Sequence, residues 1–188
     1  QTDQWQVDLA LGGSQKVLSC PCDISFLAIS PSTWEIIEQV NYVGYDALFP
    51  FKDAQQKGEF PYTPHWHGLA AINRSVDLLL EEGLSSVFQR HETIARYCRE
   101  QLEAIGYDLF IKSPFIPSPT VTAVNIPEGI SWQEFDQSLR TNGLVVGGSY
   151  GSLAGKVFRI GHMGSQANMP LIHKALEILA SVIPTIKR

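Results

Sequence analysis

The chain has 188 residues and a mass of 20.9 kDa, enough for one well-buried core or for one domain with part of another. Its 44% hydrophobic and 18% charged residues are the make-up of a soluble globular protein. A net charge of −5 with no run of Lys and Arg excludes the basic stripe of a nucleic-acid partner, and no apolar stretch is long enough to span a bilayer. The three cysteines, Cys20, Cys22 and Cys98, have no disulfide-framework spacing and fit a reducing, cytoplasmic compartment. No charged-then-apolar signal segment opens the chain, which starts at Gln1 without an initiator Met and reads as a piece of something longer.

Residues 7–11, Val7-Asp8-Leu9-Ala10-Leu11, read as a buried strand that breaks at Gly12-Gly13. The break presents Ser14, Gln15 and Lys16 ahead of the turn Cys20-Pro21-Cys22-Asp23 and a second strand, 24–29. A lysine at the exit of a buried strand is either a surface charge that snorkels to solvent or, when desolvated, a free amine able to attack a carbonyl. Pro31-Ser32-Thr33 opens a helix to Val40, with Ser32 or Thr33 as its cap. Residues 41–62 are irregular and rich in aromatics, as in a functional or interface loop or a pinned surface loop. Thr63-Pro64 reads as a helix start, with Thr63 the cap, and that helix runs to Glu82 and stops at Gly83.

A second helix follows, with Leu84, Val87, Phe88, Ile94, Ala95, Cys98, Leu102 and Ile105 on one core-facing stripe, and Gly106 ends it. Residues 107–111, 120–126, 144–146 and 156–163 read as strands. Ser131 with Glu134 makes a capping box for the helix that ends at Asn142-Gly143, and Met169 to Ile186 is a closing helix. Strand, strand, helix, strand, strand, helix is the pattern of a small α+β domain with a mainly antiparallel sheet. The expected division is 1–82, the end of a larger α/β domain carrying the lysine loop, and 83–188, the small domain.

Val7-Asp8 with Gly13-Ser14-Gln15-Lys16, Thr63-Pro64 before a long helix, and Gly155-Lys156-Val157-Phe158-Arg159-Ile160-Gly161 stand in that order. Together they resemble the C-terminal half of the class V, fold-type I aminotransferases that use pyridoxal 5′-phosphate, in the alanine–glyoxylate and serine–pyruvate branch. The resemblance implies that Lys16 holds the cofactor through a Schiff base and moves the substrate's α-proton. It places Gln15 on the phosphate side, with Ser14 among the cofactor-binding residues and Gly12-Gly13 allowing close backbone approach. By the same resemblance Thr63 reaches the phosphate in the neighbouring subunit of a homodimer. Arg159 clamps the α-carboxylate with its planar fork. The implied substrates are a small amino acid, alanine or serine-like, and a 2-oxo acid, glyoxylate or pyruvate.

The chain departs from the family where Cys22-Asp23 stand in place of a proline and glycine, and where Phe60 stands for a phosphate-binding tyrosine. The phosphate loop, the ring-stacking aromatic and the aspartate on the pyridine nitrogen belong to the family's N-terminal portion. The 188 residues alone are therefore expected to lack a full active site. The weighed alternatives are a Ser14–Lys16 hydrolase pair, metal or redox chemistry at Cys20-x-Cys22, and cysteine desulfuration. A non-catalytic folded fragment or dimerisation domain is a further one. No metal is expected. His65 and His67 read as surface residues, and Gly147-Gly148-Ser149-Tyr150-Gly151, lying between strands, is not a nucleotide loop. Ile186-Lys187-Arg188 is not the usual peroxisomal tripeptide, although a peroxisomal location stays open beside the cytoplasmic one.

Overall fold

The computed structural model describes residues 2–186; Lys187 and Arg188 of the C-terminal tripeptide lie outside them. The chain forms two compact units, Gln1–Leu78 and Leu79–Arg188, and the expected boundary at Gly83 falls just inside the second.

In the first unit β1 (Leu9–Gly13) pairs antiparallel with β2 (Ser25–Ile29) in a register running from Leu9 opposite Ile29 to Gly13 opposite Ser25. The two glycines expected to break the strand lie inside it. Gly12 sits opposite Phe26, and a Cβ on Gly12 would run into the Phe26 ring, so the ring occupies the space that the missing side chain leaves. The expected burial of these strands is not found. Leu9, Leu11, Phe26 and Leu27 are exposed, Leu11 at 77%, because among the described residues the sheet has only these two strands and its apolar residues stay uncovered.

Helix α1 (Pro31–Val40) is capped by Ser30, not by Ser32 or Thr33. The Ser30 hydroxyl accepts the Thr33 N–H at 3.2 Å. Pro31 takes the first helical position, where its missing N–H costs nothing, and this sets the cap one residue earlier than expected. The irregular segment that follows contains a 3₁₀ turn, Phe49–Phe51, and a single helical turn, α2 (Ala54–Lys57). Tyr62 pins it through ring contacts to Tyr45 and Phe51, with centroids 4.7 and 5.7 Å away. Helix α3 (Trp66–Glu82) begins later than Thr63-Pro64. Its first turn is closed by the Leu69 N–H on the His65 carbonyl, so Thr63 precedes the helix and does not cap it.

The second unit contains α4 (Leu84–Ala104), β3 (Val121–Asn125), α5 (Trp132–Thr141), β4 (Gly147–Gly148), β5 (Val157–Gly161) and α6 (Met169–Ile186). The strands form an antiparallel sheet in the order β3-β5-β4. Cys98 and Leu102 of α4, Val124 of β3, Phe135 and Leu139 of α5, Phe158 of β5 and Leu179 of α6 make its fully buried centre. The capping box of Ser131 and Glu134 is present.

Three expectations change here. Leu84 and Phe88 continue the α4 stripe in sequence but are exposed, Phe88 at 64%; within this unit the stripe outruns the surface that covers it from Val87 onward. Residues 107–111 make only a bridge, Leu109 to Val124, with flanking backbone bonds from Phe110 and to Asp108. Residues 144–146 are not a strand, because the Leu144 N–H is held by the Leu139 carbonyl at the end of α5; the strand is the Gly147-Gly148 pair that follows.

Candidate active site

The lysine turn is built around Ser14, which is fully buried. Its hydroxyl donates to the Pro21 carbonyl and accepts the Ile24 N–H at 3.4 Å. Its N–H donates to the Ile24 carbonyl and its carbonyl accepts the Cys20 N–H, both at 3.0 Å. One residue thus ties the start of the turn to its return leg. Helix α3 adds a clasp at each end of the leg. Ser75 donates to the Leu18 carbonyl at 2.5 Å, and the Ile24 side chain fills the space where Gly68 has no Cβ. His65 Nε2 lies 3.0 Å from the Asp23 carboxylate.

This frame presents Gln15 and Lys16 at the surface. The sequence placed Lys16 at the exit of a buried strand; in this unit the lysine is exposed, because the ribbon beneath it is itself uncovered. Ser14, expected among the cofactor contacts, turns its hydroxyl inward to the turn. Thr63 and Phe60 are exposed, ahead of α3. Cys22 is exposed and Cys20 half-buried, its thiol 3.4 Å from the Leu18 carbonyl. Among the described residues no group of His, Cys, Asp and Glu could hold a metal ion.

In the second unit Arg159 lies on the central strand β5, opposite Gly147 of β4 and Ala123 of β3. Its Nε and Nη2 both donate to the Gly148 carbonyl, at 3.0 and 2.6 Å. The guanidinium carbon sits 5.4 Å from the centre of the Tyr150 ring. Trp132 packs beneath Gly148, where a Cβ would come within 3.1 Å of the indole.

The loop after β5 is pinned from α4. His91 is buried; its Nε2 accepts the Gly164 N–H at 2.8 Å, which leaves Nδ1 as the donor to the Val87 carbonyl at 2.7 Å. Arg90 donates to the carbonyls of Gly164 and Ala167 at 2.8 and 3.1 Å while its other edge pairs with Glu82 at 2.6 and 2.8 Å. The Arg90 guanidinium holds the Glu82 carboxyl below the usual carboxylate range.

No family model matches the chain. An uncharacterized aminotransferase of Methanocaldococcus jannaschii is 40% identical over 166 residues, covering 86% of this chain and 43% of that protein. The serine–glyoxylate aminotransferase of Hyphomicrobium methylovorum is 37% identical over 166 residues, covering 86% of this chain and 41% of that protein. The pyridoxamine–pyruvate aminotransferase crystal structure from Mesorhizobium loti superposes with a TM-score of 0.94 at 27% identity, covering all of this chain and 49% of that one. The chain matches the C-terminal half of the class V aminotransferases. It spans somewhat less than half the length of the curated relatives named here.

Within this class V aminotransferase half-chain the structure gathers Ser14, Gln15 and Lys16 in one turn of the first unit and places Arg159 in the second. Sequence reasoning missed the pinning pair Arg90 and His91. Neither is one of the apolar residues named from the sequence for the α4 stripe. The usable signal for His91 was its place in the α4 stripe, between Val87 and Ile94, where a polar residue must find partners for both ring nitrogens. Cys98, on the same helix, is a core residue whose thiol burial pushes up to about 11. Among the described residues no helix is long and apolar enough to cross a membrane.

Proposed function

We propose that the complete protein containing this chain is a pyridoxal-phosphate-dependent aminotransferase. It moves an amino group from a small amino acid, alanine or serine, to glyoxylate or pyruvate. The observation that carries this reading is the exposed Lys16 on a turn locked by the buried Ser14, in a chain matching the C-terminal half of class V aminotransferases. The named relatives use serine with glyoxylate in one case and pyridoxamine with pyruvate in another.

The donor set fits the cofactor. An aldehyde that also carries a phosphate needs a primary amine and neutral N–H or O–H donors, and Lys16, Gln15 and Thr63 are an exposed amine, amide and hydroxyl. Lys16 would hold the cofactor by its Nζ, with Gln15 on the phosphate side. Thr63 would serve the phosphate of the neighbouring subunit in a homodimer. When bound, the cofactor supplies a carbonyl carbon and a conjugated ring that takes up the electrons of a substrate C–H bond. Lys16 Nζ, as the free amine, takes the proton from the substrate's Cα. Arg159 binds the α-carboxylate through its planar fork.

The test is the full-length protein, loaded with pyridoxal phosphate and given serine or alanine with glyoxylate or pyruvate. Formation of glycine or alanine together with the 2-oxo acid of the donor is expected. A cofactor-loaded protein that turns over none of these pairs overturns the reading.

A further inference from the structure

Arg159 uses two of its five N–H donors before any ligand arrives. Nε–H and one Nη2–H both go to the Gly148 carbonyl, at 3.0 and 2.6 Å. The donors left are the two on Nη1 and the second on Nη2. A planar carboxylate that takes two parallel N–H bonds must therefore come end-on, at the Nη1/Nη2 edge, in the plane of the guanidinium. What holds that plane matters, because Arg side chains rotate freely unless something fixes them. Gly148 fixes one edge. Its carbonyl is held in turn by the pairing of Gly148 with Phe158 and by the indole of Trp132 under its Cα. Tyr150 supplies the remaining restraint: its ring lies against the guanidinium with the charged carbon 5.4 Å from its centre.

Tyr150 has no packing reason to be aromatic. It is 82% exposed, at the start of the 3₁₀ turn Gly151–Leu153, and contributes nothing to the buried core. An exposed aromatic ring beside an arginine tethered to a strand carbonyl is placed to act on that arginine. We propose that Tyr150 is a positioning residue for Arg159. Its ring closes one side of the guanidinium to water and keeps the fork flat against Gly148, so that a small 2-oxo or amino acid is gripped end-on. The ring provides this through its π face, not its hydroxyl. The inference rests on Arg159 being the carboxylate clamp proposed above.

The experiment uses the full-length protein with Tyr150→Ala, Tyr150→Phe and Arg159→Lys, glyoxylate being titrated calorimetrically and as the varied substrate in turnover. Tyr150→Ala is expected to weaken glyoxylate binding about 3- to 10-fold and raise KM in step, with kcat within about twofold. Tyr150→Phe is expected to restore both to within about twofold of the parent. Since Tyr150 is exposed, an unchanged thermal midpoint is expected in both variants. If Arg159→Lys leaves glyoxylate affinity unchanged, the clamp reading itself is wrong and this inference falls with it. If Arg159→Lys weakens glyoxylate but Tyr150→Ala does not, or if Phe fails to rescue, Arg159 keeps its role and Tyr150 loses the one assigned here.

Discussion

The backbone N–H of Gly164 donates to Nε2 of the buried His91 at 2.8 Å, a bond between α4 and the loop that follows the Arg159 strand. Replacing His91 with Ala leaves that N–H buried without a partner and opens space beside Val87. The lost bond and unsatisfied donor cost about 1–3 kcal/mol, and the space left by the ring adds to this, so a total loss of about 2–4 kcal/mol is expected. Denaturant unfolding measures it, and hydrogen exchange should localise it to Gly164. A midpoint unchanged by His91→Ala would show that the loop is held by Arg90 alone.

Acid should loosen the same unit through His162. This residue is fully buried, with Nε2 2.8 Å from the Thr122 hydroxyl. Burial is the first cause that lowers its pKa below the ordinary 6.5; its own backbone hydrogen bond pulls the other way, and the nearby charge of Arg99 adds to the lowering. The unfolded chain therefore binds a proton that the folded one refuses. Above pH 6.5 this group adds no pH dependence. As pH falls below 6.5 stability declines, by at most about 1.4 kcal/mol per pH unit, until the lowered folded-state value is reached. Unfolding free energies at about pH 7.5 and 5.5 should fall more steeply in the parent than in His162→Gln; equal slopes would remove His162 from the acid response.

Ser14→Ala should damage the lysine turn without touching Lys16. The change strips the Pro21 carbonyl and the Ile24 N–H of a shared partner, the fully buried Ser14 hydroxyl. The expected cost is about 1–3 kcal/mol. Faster amide exchange at Cys20 and Ile24 is the readout. If exchange there is unaltered, the turn is held by α3 through Ser75 and Gly68 instead.

In the full-length protein Lys16 should be the residue modified when the cofactor-loaded protein is treated with borohydride. Peptide mapping should find the pyridoxyl group there and not on Lys52 or Lys156. Lys16→Ala should abolish steady turnover and leave some non-covalent cofactor binding, since phosphate contacts do not need the amine. A pyridoxyl group mapped to another lysine contradicts the assignment.

Arg159→Lys keeps the charge but loses the fork. A loss of about 2–5 kcal/mol in kcat/KM is expected for amino acid substrates, by analogy with truncating a buried charged pair. The matching decarboxylated amines should show no such loss. Equal effects on acids and amines would mean that Arg159 acts on something other than the carboxylate.

Much of this protein was legible in its residues. Val87, Ile94, Cys98 and Leu102 face the core of α4 because helical spacing puts them on one side, and the capping box at Ser131 and Glu134 forms because both partners lie within one turn. Local bonding of this kind needs no distant neighbour. The family, too, was readable, from the residues flanking Lys16 and Arg159. Tertiary structure decided what depends on distant partners. Gly12 stays in a strand because Phe26 lies across from it, and residues 144–146 are not a strand because the Leu144 N–H is captured by α5. Thr63 does not cap α3, whose first turn closes on His65, and His65 itself reaches Asp23, 42 residues earlier. Arg159 was recognisable by its motif, yet its tether to Gly148 and its contact with Tyr150 come from strand pairing and side-chain packing, which no local spacing encodes.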